Sequence, residues 1–547
     1  MALSTKWVLR LGAVALPLVY WPLTYDHYVL PKLLFARLIV LVLALLLIAQ
    51  WTVARKIGIK RTPLDLPLLA FIASAVLSAL VGVNLNISLF GFYTRYDGVL
   101  TLVTYAALFW LAVQSIADGD DARTLLRAML AGAYLVSAIA IAQYTIDVVT
   151  GQPGPRAYGT LGNPNVLGSY LVMLAPVAYY ELKTARSLSA RILYVNVLAV
   201  MVLALVLSGS HSAWLGLAAA AGVLVVAQQV VPLRTRVWQA LAGGAGLVVA
   251  AATLRFAVSG TSDVSQRAHI WRDTLSLIAS RPVFGYGPDT FGLVYPAFQS
   301  GKWVIYLQID KAHSEPLQVA ATQGLVGLAV WGWLLAAFVL AFWRGRHPDG
   351  AAPLFAGWLG YQVVLLVNFT ALSSAFPFWI FAAAAVVRCG ATSQLTVAPV
   401  RGRWPAVVGA AAAAGLVALA VPALLMPYWA DSRLQHAVEA DQAQDAATAV
   451  ADMAAARGLA PQESTYAQYA AGLAYQKQDL EGARADYLEA VRLGTIDPRV
   501  YWGLAMTDKQ LGLIDEAVAA ARQAVYLDRW DPANQALLAQ MLDARNR

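Results

Sequence analysis

Three arginines and His313 share the longest polar stretch of an otherwise apolar region. His313 ends the stretch, and Arg267, Arg272 and Arg281 precede it. Histidine is the side chain best suited to take a proton near neutral pH. Arginine presents a fixed fork of donors that suits phosphate oxygens, so several together suit a diphosphate. The stretch predicts proton transfer beside a bound anion. Glu315 either orients the imidazole or simply begins the next helix.

Three shorter polar segments carry groups of the same kind. Arg95 lies in GFYTRYDG, Arg156 begins RAYGTLGNPN, and His211 lies in SGSHSAW. Asn163 and Asn165 of the second segment either cap the helix that follows or bind sugar hydroxyls. We expect these segments to lie on the same side of the molecule as the longer stretch.

The elements that must position these groups are apolar helices. Of the 547 residues, 59% are hydrophobic and only 13% are charged, whereas soluble proteins have about 25% charged residues. A bilayer-crossing helix needs about 20 mostly apolar residues, and about thirteen segments qualify. They begin near Trp7, Leu33, Leu64, Val99, Leu125, Asn163, Ile192, Ala213, Val237, Leu325, Pro353, Ala375 and Ala406. The sequence predicts an all-α, polytopic membrane protein.

Charge divides the chain into two parts, which we take as domains of residues 1–427 and 428–547. From Pro427 onward there are 11 Lys or Arg and 17 Asp or Glu, and the rest of the chain has 28 and 14. The cations stand in short clusters between apolar runs, which argues against nucleic-acid binding. The single Cys389 excludes an intrachain disulfide framework and a multi-cysteine metal site.

The distribution of Lys and Arg predicts the orientation of the chain. With the N-terminus in the cytoplasm, 18 of the 28 cations in the membrane part fall on the cytoplasmic side, as the positive-inside rule requires. The loop of about residues 257–315 is then extracytoplasmic, and so is the C-terminal domain. We expect no cleavable signal peptide, because the first apolar run lacks a small-residue cleavage site.

The C-terminal domain has a repeat of 34 residues. Ala483 recurs as Ala517, Ala490 as Ala524, and an Asp-Pro pair closes both units. Small residues at fixed positions let the two helices of a hairpin approach closely, and the pattern resembles the tetratricopeptide repeat. We expect either a docking surface for a protein partner or acceptor, or a structural cap.

Together, the polar segments resemble the O-antigen ligase family, which includes protein O-oligosaccharyltransferases and polysaccharide polymerases. The matching motifs are GFYTRYDG, RAYGTLGNPN, SGSHSAW, Arg267 with Trp271, RPVFGYGPDTF and AHSEPLQ followed by GLVG. The resemblance covers roughly residues 10–400. It implies a helical GT-C-like membrane fold without metal or cofactor. It also assigns the essential histidine to His313 and a loop arginine to Arg267, whereas His211 stands where the family has its second arginine.

The resemblance implies transfer of a glycan from undecaprenyl diphosphate to an acceptor hydroxyl, with inversion, at the bacterial inner membrane. His313 would take the acceptor's proton, while Arg267 and the other cationic groups hold the diphosphate. The acceptor is left open between lipid A core, a protein and another glycan chain. A lipid or glycan transporter is the alternative from a different class. We expect the partners to be the lipid-linked donor, the acceptor and membrane lipids.

Overall fold

The computed structural model describes residues 2–227, 262–301, 308–345, 350–397 and 404–547, and it is almost entirely helical. The first part comprises α1 (Ala2–Ala15), α2 (Leu30–Ala54), β1 (Ile57–Arg61), α3 (Asp65–Val81), α4 (Leu85–Phe90), α5 (Val99–Ser115), α6 (Gly119–Val149), α7 (Pro164–Thr184), α8 (Leu188–Leu207) and α9 (His211–Ala227). The middle part comprises α10 (Ser262–Ser280), α11 (Phe291–Val294), α12 (Glu315–Trp343), α13 (Ala351–Leu366), α14 (Leu372–Arg388) and β2 (Ser393–Val397). The last part comprises α15 (Trp404–Gln442), α16 (Ala446–Leu459), α17 (Ser464–Gln476), α18 (Leu480–Leu493), α19 (Pro498–Gln510), α20 (Ile514–Leu527) and α21 (Pro532–Asn546). Short 3-10 helices occupy Gly159–Leu161 and Tyr295–Ala297.

The all-α membrane class is confirmed. Within the described residues, the helices long and apolar enough to cross a bilayer are α2, α6, α8, α12 and α15 from Ala406. Shorter apolar helices, α3, α5, α9, α13 and α14, pack among them. A helix is present at each predicted span, except that the span near Val237 lies outside the described residues. The helix near Trp7 is shorter than predicted, with 14 residues, and a loop of residues 16–29 follows it.

Small residues allow three helices to pack closely beneath the polar loops. A Cβ added to Gly360 of α13 would lie 2.8 Å from the carbonyl oxygen of Gly216 in α9. One added to Gly357 would lie 2.1 Å from the carbonyl oxygen of Met173 in α7. Close backbone approach is a typical way for membrane helices to associate. It fixes α7 and α9, and His211 is the first residue of α9.

The helix that follows His313 is broken at Gly324, which has φ 69° and ψ −171°. Backbone groups near the break bond to the segment 282–287: Leu325 N–H donates to Pro282 O at 2.7 Å, and Gly287 N–H donates to Thr322 O at 2.8 Å. A broken helix at membrane depth requires such replacement partners. The first part of the motif RPVFGYGPDTF is therefore hydrogen-bonded to α12 at its break. These bonds hold the motif close to the helix that follows His313.

The opposite end of the bundle holds basic residues paired with two buried carboxylates. Asp121 accepts from Arg10 at 2.5 Å, and Glu181 accepts from Arg123 and Arg127 at 2.6 Å and 2.7 Å. At the same end β1 pairs with β2 in antiparallel register, two strands that the all-α prediction missed. The polar loops 16–29, 91–98, 150–163, 208–210, 281–301 and 308–314 lie at the other end, which we call the site side.

The C-terminal part consists of tetratricopeptide-like helical hairpins. The alanines predicted to let paired helices meet, Ala483, Ala490, Ala517 and Ala524, are fully buried, and so are Ala449 and Ala456 at the equivalent positions 34 residues upstream. Aspartates at the starts of α19 and α21, Asp497 and Asp531, accept backbone N–H bonds as N-caps. The domain boundary predicted at residue 427 falls inside α15, which runs without a loop from a candidate span into the first hairpin.

The repeats pack against the site side of the bundle. The buried carboxylate of Asp431 accepts from Asp26 N–H at 2.9 Å and from the hydroxyl of Tyr93. Asn86 donates through Nδ2 to Gln462 O at 2.9 Å. The repeat domain therefore lies against the same loops that carry the polar motifs.

Replacing Gly324 by alanine tests the break in α12. An added Cβ would lie 2.1 Å from Val283 O, and the backbone conformation is one that essentially only glycine adopts, at a cost of about 1–3 kcal/mol. Gly324→Ala should lower the midpoint of thermal unfolding, followed by intrinsic fluorescence in detergent. Gly332→Ala in the same helix is the control, because open space surrounds Gly332. Equal midpoints for the two variants would contradict the strained break.

Candidate active site

A buried ion cluster joins three site-side loops. Lys311 Nζ lies 2.7 Å from Asp289 Oδ1 and 2.9 Å from Asp97 Oδ2, and the lysine side chain is 2% exposed. Asp289 also accepts from Phe92 N–H at 2.8 Å. Although burial disfavours the ammonium, the two carboxylates outweigh it and raise the pKa of Lys311 above its ordinary value. Lys311 therefore stays charged at neutral pH and holds the loops of Arg95 and His313 together.

His313 lies in a pocket built from α10, α12 and the loop between α13 and α14. Trp271 Nε1 donates to His313 O at 3.3 Å, and the imidazole meets the ring of Phe369 edge-on at 5.4 Å. Glu315 accepts from Thr370 N–H at 2.7 Å. Glu315 thus begins α12 and holds Thr370, the neighbour of Phe369. Any effect of Glu315 on the orientation of the His313 imidazole therefore acts through the ring of Phe369.

The electrostatic surroundings keep His313 neutral. Burial lowers its pKa to about 4, assisted by the positive charges of Arg267 and Arg95 and opposed by Asp310. A histidine with this pKa is in its proton-accepting form throughout the physiological range. The site therefore holds an unprotonated imidazole whose pKa is affected by the charge of Arg267.

Arg95 lies on the other flank of His313. Its Nε donates to Asp310 Oδ2 at 2.6 Å, and its guanidinium carbon lies 5.5 Å from the centre of the Phe369 ring. The same phenylalanine therefore contacts both Arg95 and His313. Arg95 is positioned near His313, separate from the main cluster of cationic groups.

That cluster lines an open cavity of about 600 Å³. The predicted residues Arg156, Asn165, His211 and Arg267 all line it, together with Tyr144, Pro155, Val206, Leu207, Gly209 and Ser212. Their positions are set by backbone contacts and short polar bonds. Arg156 Nε donates to Ser208 O at 2.8 Å, and one Arg267 terminal nitrogen donates to Val367 O at 2.7 Å. Asn165 Oδ1 accepts from Ser210 Oγ at 2.9 Å.

Three predicted residues lie elsewhere. Arg272 and Arg281 are exposed and do not line the cavity, and the guanidinium of Arg281 lies 5.0 Å from the ring centre of Tyr286. Five positions along a helix are about 140° apart, so Arg272 faces away from Arg267. Asn163 accepts from Asn165 N–H and caps α7, which is the helix-capping alternative. A role for these three residues in binding stays a prediction.

Sequence reasoning missed Lys311, Asp97, Asp289 and Asp310, although each lies in or beside a motif already singled out. Asp97 is in GFYTRYDG, Asp289 is in GYGPDTF, and Lys311 comes two residues before His313. The signal in the sequence that could have found the cluster was a single lysine, Lys311, together with aspartates in loops that were expected to lie close together. Within the described residues, no group of three or more His, Cys, Asp or Glu side chains is arranged to hold a metal ion.

The structure is that of a helical membrane protein with a cavity lined by cationic side chains, one of which, Arg267, also lies near the buried His313. Comparison with known families makes this specific: residues 197–332 match the family model described as O-Antigen ligase. This segment of the chain is therefore similar to the O-antigen ligase family, as the motifs predicted, and the similarity supports a membrane glycan ligase or polymerase type of function.

Other comparisons add little. No curated protein matches the chain. The Arabidopsis OM64 TPR domain is 16% identical over 21% of this chain and 96% of its own, with a TM-score of 0.21. The crystal structure of the APC/C hetero-tetramer Cut9-Hcn1 contains a chain 10% identical over 81% of this chain and 77% of its own, with a TM-score of 0.20. The helices α15 to α21 themselves form the hairpins of the repeat domain.

Removing the ammonium of Lys311 should destabilise the protein strongly. Lys311→Met leaves two carboxylates in the interior without a counter-charge, which costs roughly 3–5 kcal/mol, and thermal unfolding in detergent should report it. The control is Arg492→Met, because Arg492 is 68% exposed in its pair with Glu489, and such a pair contributes at most about 1 kcal/mol. Similar unfolding midpoints for both variants would refute the structural importance of the cluster.

Removing the charge of Arg267 should raise the pKa of His313. The positive guanidinium disfavours the imidazolium, so Arg267→Gln should move the pKa from about 4 toward the ordinary 6.5. Histidine-labelled protein observed by NMR in detergent gives this pKa directly, with the signal assigned from a His313 variant. The exposed Arg272→Gln on the same helix should leave the pKa unchanged. An unaltered pKa in Arg267→Gln would contradict the proximity of the two groups.

Proposed function

We propose that the protein is an inverting membrane glycosyltransferase of the O-antigen ligase type. It moves a glycan from undecaprenyl diphosphate to an acceptor hydroxyl on the extracytoplasmic side of the bacterial inner membrane. The observation that carries this proposal is the cavity lined by Arg156, His211 and Arg267, beside a histidine held neutral. A diphosphate has the charge and size for the cavity, and a neutral imidazole is the base that a hydroxyl acceptor requires.

The cavity holds the leaving group. Arg156 and Arg267 supply guanidinium donors that suit phosphate oxygens, and His211 begins α9, where the N-terminal backbone dipole also favours an anion. In this way His211 takes part of the role of the arginine found elsewhere in the family. Asn165 offers an amide to the diphosphate or to the first sugar.

The reaction then needs one proton transfer. The acceptor oxygen attacks the anomeric carbon from the face opposite the diphosphate, and its proton passes to the imidazole of His313. The bond between the anomeric carbon and the diphosphate oxygen breaks, and its electron pair leaves with the diphosphate. Arg267 stabilises the charge that develops there, because a preorganised cation is most effective where negative charge grows. No metal or cofactor is needed in this scheme, which agrees with a GT-C-like enzyme.

The acceptor hydroxyl belongs to one of three classes of molecule. We place transfer to a glycan or lipid acceptor such as lipid A core first, protein O-oligosaccharyl transfer second and polymerisation third. The repeat domain contacts the loops of the site through Asp431 and Asn86, which is the observation that favours a large acceptor delivered by the repeats. A lipid or glycan transporter stays the alternative from a different class.

Loss of the proposed base should abolish transfer. His313→Ala should lower kcat by roughly 100-fold or more, the usual contribution of a general base, with little change in the donor KM because the cavity is intact. The measurement is discharge of radiolabelled undecaprenyl-diphosphate glycan by purified protein in liposomes, with an acceptor extract present. His436→Ala is the control, because His436 is exposed in the repeat domain.

Near-normal discharge by His313→Ala would refute the role of that residue. A wild-type protein that moves the donor across the bilayer without discharging it would be a transporter. Mass spectrometry of the labelled product identifies the acceptor as lipid, protein or glycan.

A further inference from the structure

A strip of aromatic side chains is centred on the loop 16–29, and it contacts the segment beside the cavity through Tyr158 and the repeat domain through Tyr469. Its members are Tyr158, Tyr28, Tyr20, Trp21, Tyr25 and Tyr469. Tyr158 meets Tyr28 edge-on at 6.4 Å, and Tyr28 meets Tyr20 at 5.1 Å. At the far end Tyr25 meets Tyr469 at 6.1 Å. We call these six residues the aromatic strip.

The strip adjoins the proposed active site at Tyr158 and again at Tyr25, before it reaches the repeat domain at Tyr469. Tyr158 lies two residues after Arg156, which lines the cavity. Tyr25 also packs on Tyr93 at 6.4 Å, two residues before the Arg95 that flanks His313. The strip therefore borders the region where the diphosphate and the proton acceptor meet.

The middle of the strip is accessible and rigid. Tyr20, Trp21 and Tyr25 are 41%, 44% and 37% exposed. Their loop is held by Asp26, whose carboxylate accepts three backbone N–H groups at 2.9–3.0 Å. A surface fixed before binding loses little conformational entropy when a ligand arrives. Exposed aromatic rings on an anchored loop are thus preorganised to receive a ligand.

We propose that the aromatic strip binds the extended glycan of the lipid-linked donor, an inference that rests on the proposed function. Sugar rings have apolar C–H faces that stack on aromatic rings, and their hydroxyls pair with phenolic oxygens and indole N–H groups, so amphipathic tyrosine and tryptophan side chains suit them. The strip starts where the diphosphate ends and continues for several rings. It fits a chain of sugars, with the first sugar at the reaction centre.

A role as a membrane-surface belt explains the strip less well. Interfacial tyrosine and tryptophan side chains collect at the level of the lipid headgroups. The strip instead passes into the repeat domain, where the hydroxyls of Tyr25 and Tyr469 lie 3.1 Å apart. Tyr469 belongs to α17, a helix of 13 residues in a hairpin repeat and not a membrane span. A ligand that follows the strip must therefore project out of the membrane, as a glycan does.

The test compares donors of different glycan length. The full-length double variant Trp21→Ala/Tyr25→Ala is reconstituted in liposomes and supplied with undecaprenyl diphosphate carrying either the full-length glycan from the source cells or a single sugar. Loss of two aromatic contacts should raise the KM for the long donor about tenfold and leave the single-sugar donor unchanged. Trp530→Ala, with a similarly exposed tryptophan at 43%, should alter neither value.

An unchanged KM for the long donor would overturn the proposal while the transferase function stands. Equal losses on both donors would also overturn it, because the strip would then serve the fold or the membrane anchor. If the wild-type protein discharges neither donor, the proposed function fails. Calorimetric titration with the glycan released from its lipid then tests glycan binding by the aromatic strip independently of transfer. Binding by wild type that the double variant loses supports the strip, and absence of binding by wild type overturns it.

Discussion

The buried charge of Lys311 is the interaction on which the rest of the site depends. Its two carboxylate partners come from segments far apart in the chain, since Asp97 is 214 residues away. A lone ammonium in the interior costs several kcal/mol, so these loops are stable only when both carboxylates are in place. Arg95 precedes Asp97 by two residues, and His313 follows Lys311 by two. The ion pair between Lys311 and Asp97 therefore also holds Arg95 close to His313.

The membrane imposes a second constraint, because backbone groups without partners are costly in the bilayer. At the break in α12 near Gly324, backbone groups of the helix form hydrogen bonds with the segment 282–287 instead. That segment leads directly to Asp289, so the break in α12 and the ion cluster stabilise each other. The repeat domain packs on the same site-side loops, because Asp431 accepts hydrogen bonds from Asp26 and Tyr93.

Much of the fold could be predicted from periodicity, and part of the site from motifs. Long apolar runs and the alanines spaced 34 residues apart specify helices locally, so the spans and hairpins follow. Arg156, His211 and Arg267 converge as the motifs predicted, whereas Arg272 and Arg281 do not, because helix rotation and loop direction decide which cations share a cavity. Lys311 escaped notice because its meaning depends on Asp97 and Asp289 being close in space. The strands β1 and β2, five residues each, carry too weak a pattern to stand out among helices.

In the proposed reaction, the diphosphate of the donor lies in the cavity of Arg156, His211 and Arg267, and the first sugar of the donor faces His313. Electron cryo-microscopy of the full chain in nanodiscs, with undecaprenyl-diphosphate glycan bound, tests it most directly. We expect both phosphates within salt-bridge distance of Arg156 and Arg267, and the anomeric carbon on the His313 side. Phosphate density beside Arg272 or Arg281, or between the spans away from His313, would contradict it.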